Sequence, residues 1–258
     1  YVRYAQNRHP EAERLDREAV RLARGVGDGR SATLGLALRG LGEFLAFTAR
    51  PVEGAVVLRE AVDVLRGAHG RLHPEVAIAE LNFVHALTQT DRRADLLEAV
   101  AVGRAAYAHV QTLYPEGARL RGDAASRLAQ ALLRVDSAEA AEPLLREVIA
   151  LRVRAYGESH LDVAFARDQL GRVQMQRRRF AEAESLFTRA YEARRAALGD
   201  RHPGTGASMQ MLGRLAYARG DTAAGLPLLL GSAERWEGAG MTRYAATDRQ
   251  WVAVGAFT

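Results

Sequence analysis

The sequence predicts an all-α fold, a right-handed α-solenoid of stacked helix-turn-helix repeats. Three observations predict it. First, apolar residues recur at helical spacing: Ala183, Leu186, Phe187, Ala190 and Tyr191 fall at i, i+3, i+4, i+7 and i+8 of one buried face. Val163, Ala166, Leu170 and Val173 mark a similar face on the segment before it. Second, the chain repeats itself at an offset of 42 residues. His160, Leu170-Gly171, Ala183, Leu186-Phe187 and Ala190 correspond to His202, Leu212-Gly213, Gly225, Leu228-Leu229 and Ser232. Third, no segment shows the sustained apolar-polar alternation of a strand.

The elements follow in order. Residues 11–30, around Leu15, Ala19 and Leu22, read as the second helix of a repeat without its first. Residues 1–7 read as the tail of that missing helix. Five full pairs are expected at 32–66, 74–113, 120–155, 162–197 and 204–236. Residues 242–256, with Trp251 and Val254, make either a first helix without its partner or a terminal cap. The whole chain, 1–258, then forms a single solenoid with a half unit at each end. Leu41, Leu81, Leu128, Leu170 and Leu212 lead the first helices. Each has an apolar partner 16 residues later, at Val57, Leu97, Leu144, Leu186 and Leu228. The intervals between leaders vary (40, 47, 42 and 42) while the inner spacing holds. Packed pairs resist insertion and connectors tolerate it. Gly70, Gly157 and Gly199 stand where a glycine ends the second helix. Pro74 and Pro203 stand where the next helix starts, and Pro143 and Pro227 fit only a first turn.

Composition excludes several chemistries. The 258 residues are 48% hydrophobic and 26% charged, ordinary for a folded chain. There is no cysteine, so disulfides, thiolate zinc sites and thiol nucleophiles are ruled out. All 36 basic residues are arginine, which removes every lysine-based mechanism. A net charge of +5 is mild for this length and does not by itself demand nucleic acid. No apolar run reaches the roughly 18 to 20 residues of a membrane helix. The chain begins at Tyr1 rather than Met, and reads as a fragment of a longer protein.

Sharper motifs give way to plainer readings. His69 and His73 are four apart, but Gly70 lies between them and no third ligand is near, so no metal is expected. His73, His160 and His202 recur at equivalent places, which suits a joint and not a catalyst. Gly25-Val26-Gly27-Asp28-Gly29 follows a helix and lacks a lysine, so it reads as a connector rather than a phosphate loop. Arg177-Arg178-Arg179 reads as a solvated turn, since only Phe180 accompanies it. No nucleophile elbow or other catalytic constellation is present.

The pattern resembles tetratricopeptide repeats, in the long variety of about 42 residues seen in kinesin light chains and many bacterial proteins. Leu170-Gly171, Ala183, Phe187, Ala190 and Gly199-Asp200-Arg201-His202-Pro203 carry the resemblance. So does Ala141-Glu142-Pro143-Leu144-Leu145-Arg146-Glu147. It is strongest between Leu128 and Ser232. It weakens over residues 81–120, where Asn82 replaces a small residue, Glu98 falls at a buried position and Tyr114-Pro115 stands near the usual glycine. That repeat is either shifted in register or distorted.

The resemblance implies a protein-interaction scaffold, not an enzyme, whose first helices line a concave groove for a peptide or helical segment. Groove positions lie two before and two, five and six after each leader. They map to Arg39, Glu43, Phe47, Phe83, Gln130, Arg134, Asp168, Arg172, Gln176, Gln210, Arg214 and Tyr217. Arg134, Arg172 and Arg214 are expected to form a basic ladder for carboxylates, with Phe47, Phe83 and Tyr217 as apolar anchors. The expected partner is a protein or peptide, acidic in character. Nucleic acid, membrane insertion, cofactors, metals and catalytic residues are not expected. The alternative is the sensor or docking region of a bacterial serine/threonine kinase or transcriptional regulator, with the catalytic or DNA-binding domain upstream. A cytoplasmic location is expected, or one outside the cytoplasm where a membrane helix precedes the chain.

Overall fold

The computed structural model describes residues 9–26 and 31–255. Residues 1–8, residues 27–30 at the end of the first half repeat and residue 256 of the terminal helix, all read above from sequence, lie outside these. Among the described residues every regular element is a helix, and none is long and apolar enough to cross a membrane. The chain divides into two compact units, 1–137 and 138–258.

The first unit holds α1 (His9–Arg24), α2 (Ala32–Phe47), α3 (Pro51–His69), α4 (Pro74–Thr88), α5 (Arg93–Leu113) and α6 (Arg119–Arg134). Successive helices pack on one another. Leu34, Leu38, Leu41, Phe44 and Leu45 of α2 form one core layer with Val20 and Ala23 of α1. Leu58, Val62 and Leu65 of α3 meet Val76, Phe83, Val84 and Leu87 of α4 in the next. Glu80 is fully buried among them, with Arg66 Nη2 at 2.7 Å and His109 Nδ1 at 2.9 Å.

The second unit holds α7 (Ala138–Tyr156), α8 (Leu161–Gln176), α9 (Phe180–Leu198), α10 (Pro203–Ala218), α11 (Thr222–Gly238) and α12 (Thr242–Gly255). Ala183 and Phe187 of α9 pack with Leu215 of α10. Ala233 and Trp236 of α11 pack with Ala245 of α12. The Glu142 carboxylate of α7 is buried and takes donors from Arg146, Arg177, Arg179 and Gln174. Burial alone would raise its pKa. The Gln174 and Arg146 hydrogen bonds, with the Arg146 and Arg177 charges, hold it below the ordinary carboxylate range. Two of the three arginines in the 177–179 turn are therefore tied to the fold, whereas the sequence suggested a solvated run.

Local chemistry explains where the helices begin and end. The α4, α8 and α10 N-termini are capped by imidazole. His73, His160 and His202 each accept, at Nδ1, the backbone N–H two residues on, at 3.2, 3.2 and 2.9 Å. The recurrent histidines are thus joint-builders, as their repetition implies. Within the pairs α2–α3, α8–α9 and α10–α11, the turn contains one left-handed residue: Ala49 (φ 61°), Arg178 (φ 57°) and Gly220 (φ 83°). Each stands eight residues after its leading leucine, and Asp136 (φ 59°) does the same after Leu128.

The rigid spacing within each pair also has a visible cause. The residue after the leader is a glycine in α2, α8 and α10. A Cβ on Gly42, Gly171 or Gly213 would lie 2.5 to 2.8 Å from Leu58, Phe187 or Leu229. Those three side chains are fully buried. The residue 17 after the leader is thus the one pressed into the pair, while Val57, Leu186 and Leu228, at 16, are half-buried.

Candidate partner-binding surface

Helix caps set the register of each first helix. Ser31, Ala118, His160 and His202 precede Leu41, Leu128, Leu170 and Leu212 by ten residues. In α4 the cap is His73, and ten residues on is Phe83 rather than Leu81. Phe83 is only 3% exposed and packs in the core. It occupies the leader's place, so it is no apolar anchor on the surface. Leu97, expected to face Leu81, is 52% exposed, whereas Ala99 is buried and Val100 packs on the core. The interval between leaders therefore becomes 42, 45, 42 and 42, and repeat 74–113 keeps its neighbours' register, with a longer second helix and no left-handed residue at Asp91. The recurrent His-Pro pair was the signal that could have set this register.

With that register the positions two after the leader are Glu43, His85 and Gln130 in the first unit and Arg172 and Arg214 in the second. All are exposed or half-exposed. The positions six after are Phe47, Gln89 and Arg134, then Gln176 and Ala218, and all are exposed. Phe47 stands out at 76% exposure. His85 is the surface position that the leucine-based register missed. Burial lowers its pKa to about 4, with the Arg127 charge adding to the effect.

Several expected residues already have partners in the fold. Arg39 pairs with Glu75 at 3.3 Å. Glu43 lies 3.4 Å from the Asn82 amide. Arg134 donates to the Thr90 carbonyl at 2.7 Å and pairs with Asp91 at 3.0 Å, so it closes the α4–α5 turn. Asp168 is buried against Arg194, whose guanidinium also reaches Ser208. Burial pushes the Asp168 carboxyl up, and Arg194 opposes that. Gln210 donates to Asp248 of α12.

Arg172 and Arg214 differ from these. Neither has a hydrogen bond or an ion pair among the described residues. The Arg214 guanidinium lies 5.3 Å from the centroid of the Trp251 ring, and Tyr217 meets Trp251 edge-on at 6.3 Å. Burial holds Arg214 below its ordinary pKa; Asp248 opposes that shift and Arg172 reinforces it. α12 thus packs beside α10 as a further first helix and adds Trp251 to this surface, which the list of groove positions had left out.

These features coincide with a known repeat class. Residues 120–196 and 169–229 match the family model described as tetratricopeptide repeat. The fold agrees over a longer span. A Podosopora anserina kinesin light chain-like protein with nearly identical TPR-like repeats shares 18% identity and superposes with a TM-score of 0.67, covering 79% of this chain and 95% of that one. BtubC (BKLC) from P. vanneervenii shares 17% identity with a TM-score of 0.69, covering 91% and 92%. The Rap protein, solved in complex with competence and sporulation factor, shares 13% identity with a TM-score of 0.63, covering 99% and 72%. No curated protein matches the sequence. The fold is thus similar to that of kinesin light chain-like repeat proteins, an all-helical fold of the kind that supports protein-interaction scaffolds.

Proposed function

We propose that this chain is an interaction module that binds a peptide or helical segment of another protein on the exposed rows of its first helices. The observation that carries the reading is the contrast along those helices. The residues one, three and four after each leader are buried, apart from half-buried Ala216, while the positions two and six after each leader stay open with varied chemistry. Phe47, at the C-terminal end of α2, is the most exposed large apolar side chain on these rows and gives a partner an apolar contact. The Rap relative, which shares the fold, was solved with a bound factor, and that lends support.

The test is a display screen of random peptides against the intact chain, repeated with Phe47→Ser and Gln89→Ala together, both in the first unit. Both side chains are exposed, so the fold should stand. Peptides should be enriched by the native chain and lost or weakened at least fivefold by the double variant. A screen that enriches nothing, or binders indifferent to the variant, would refute the placement of the surface.

A further inference from the structure

The first unit holds a cleft made of residues that the proposed peptide surface does not use. Residues 25–31 join α1 to α2, whereas residues 70–73, 157–160 and 199–202 suffice at three other joints between repeats. The longer connector lets α1 stand off, and it packs on α2 more thinly than α3 does. A cavity of about 420 Å³ opens between α1 and α3, over α2. Its apolar lining is Val20 of α1, Leu38, Leu41 and Leu45 of α2, and Val57 of α3. Small-molecule sites span about 300 to 1,000 Å³, and this cavity falls within that range.

Two ion pairs of the rim cross the cleft. Arg17 meets Glu53 at 3.1 Å and Arg24 meets Glu60 at 2.6 Å, each across a step of 36 residues. The same step sets Arg21 opposite Val57, and both line the cavity. The middle rung therefore has a cation with no carboxylate across from it. Arg21 turns back to Glu18 of its own helix, at 2.5 Å, in a pair exposed at both ends. Such a pair contributes little. Arg14 stands four residues before Glu18, on the same helical face, and makes no ion pair among the described residues. Arg14 and Arg21 thus share one carboxylate, and Arg21 is able to leave Glu18 without stranding it.

We propose that this cleft binds an unbranched aliphatic carboxylate, a medium-chain fatty acid, with its head on Arg21 and its chain along Leu38, Leu41, Leu45 and Val57. The floor offers only aliphatic carbon, and a guanidinium grips a carboxylate through paired N–H donors. A doubly charged head such as a phosphate would meet Glu53 and Glu60 on the same rim, so a single charge fits best. At the ~30 Å³ that a water-sized group occupies, the cavity holds roughly a dozen heavy atoms, the size of decanoate.

Decanoate, octanoate and neutral decanol are titrated into the intact chain, native or carrying Arg21→Gln or Val57→Glu, and followed by calorimetry and by Leu and Val methyl NMR. Decanoate should bind the native chain and shift first the methyls of Val20, Leu38, Leu41, Leu45 and Val57. It should bind about tenfold tighter than octanoate, as the burial of two methylenes requires. It should also bind about fivefold tighter than decanol, and Arg21→Gln should erase that preference. Val57→Glu, which completes the middle rung, should abolish decanoate binding. Arg21→Gln alters an exposed side chain, so it carries the test if Val57→Glu fails to fold. A preference for decanoate over decanol that survives Arg21→Gln, methyl shifts centred outside the cleft, or no binding at about 1 mM would overturn the proposal. The peptide reading stands or falls separately, since it uses none of these side chains.

Discussion

Imidazole caps at three helix starts make a quantitative prediction about this fold. His202 is the cleanest of the three. Its Nδ1 accepts the Gly204 N–H at 2.9 Å, and among the described residues its ring makes no stacked contact, unlike His73 on His69 or His160 on Tyr156. Replacing a capping side chain with alanine leaves a first-turn donor to water and costs about 1 kcal/mol. Asparagine restores an acceptor at the same place and is among the best capping residues. His202→Ala should therefore lose about 1 kcal/mol in urea unfolding followed by circular dichroism at pH 8, where imidazoles are neutral. His202→Asn should lose a few tenths at most. An Arg201→Ala control, on an exposed turn residue, should stay within about 0.5 kcal/mol. Equal losses in the Ala and Asn variants would mean that the ring acts by packing, and the capping account would fail. If it holds, His160→Ala and His202→Ala should add, since the two joints lie one repeat apart and share no partner.

Three further outcomes follow from buried groups and close approaches. His85, held at about 4, is neutral when folded, whereas an unfolded histidine titrates near 6.5. Stability is thus full above about pH 6.5 and is lost as pH falls toward 4, by at most about 3 kcal/mol and less where water screens the ring. Melts at pH 7 and 4.5 should differ less for His85→Gln than for the native chain; an equal difference would dismiss the role of this ring. Glu142→Gln removes the charge that gathers Arg146, Arg177 and Arg179, and should cost about 2 to 3 kcal/mol in urea unfolding; a loss under about 0.5 kcal/mol would show that the cluster contributes nothing net. Gly171→Ala places a methyl 2.5 Å from the Phe187 ring and should cost about 1 to 3 kcal/mol, whereas Gly40→Ala, in open space on α2, should gain up to about 1 kcal/mol. Equal effects at the two sites would contradict the close crossing of α8 and α9.

The fold was legible because repeats amplify a weak signal. One helix pair such as 162–197 is ambiguous, but a 42-residue offset that preserves Leu170-Gly171 and Phe187 is not. The caps and turns were legible in part. His-Pro pairs and glycines showed where helices meet, but not that the imidazole itself accepts the first-turn N–H. Register in the second repeat was misread because leucine was followed in preference to the cap. Phe83 does a leucine's work there, and hydrophobicity alone does not separate Leu81 from Phe83. Partnering was not legible at all. Arg134, Arg172 and Arg214 look alike in sequence, and only folding brings Asp91 to the first and Trp251 to the third.

That last distinction bears on what the arginines are for. A chain rich in alanine offers its helices many nearly equivalent ways to pack, since a row of methyl groups discriminates poorly between registers. A buried carboxylate with several donors discriminates well, because a shift of one turn would strand the charge. Glu80 with Arg66 and His109, Glu142 with its three arginines, and Asp168 with Arg194 all link different helices and all have this form. Arginines in such clusters are committed to the fold, and a partner that recruited them would have to compete with its own scaffold. Arg172 and Arg214 are held by no carboxylate, although Asp168 and Asp248 lie near enough to influence them. Which arginines the fold commits is set less by how many it displays than by which of them its own acids claim.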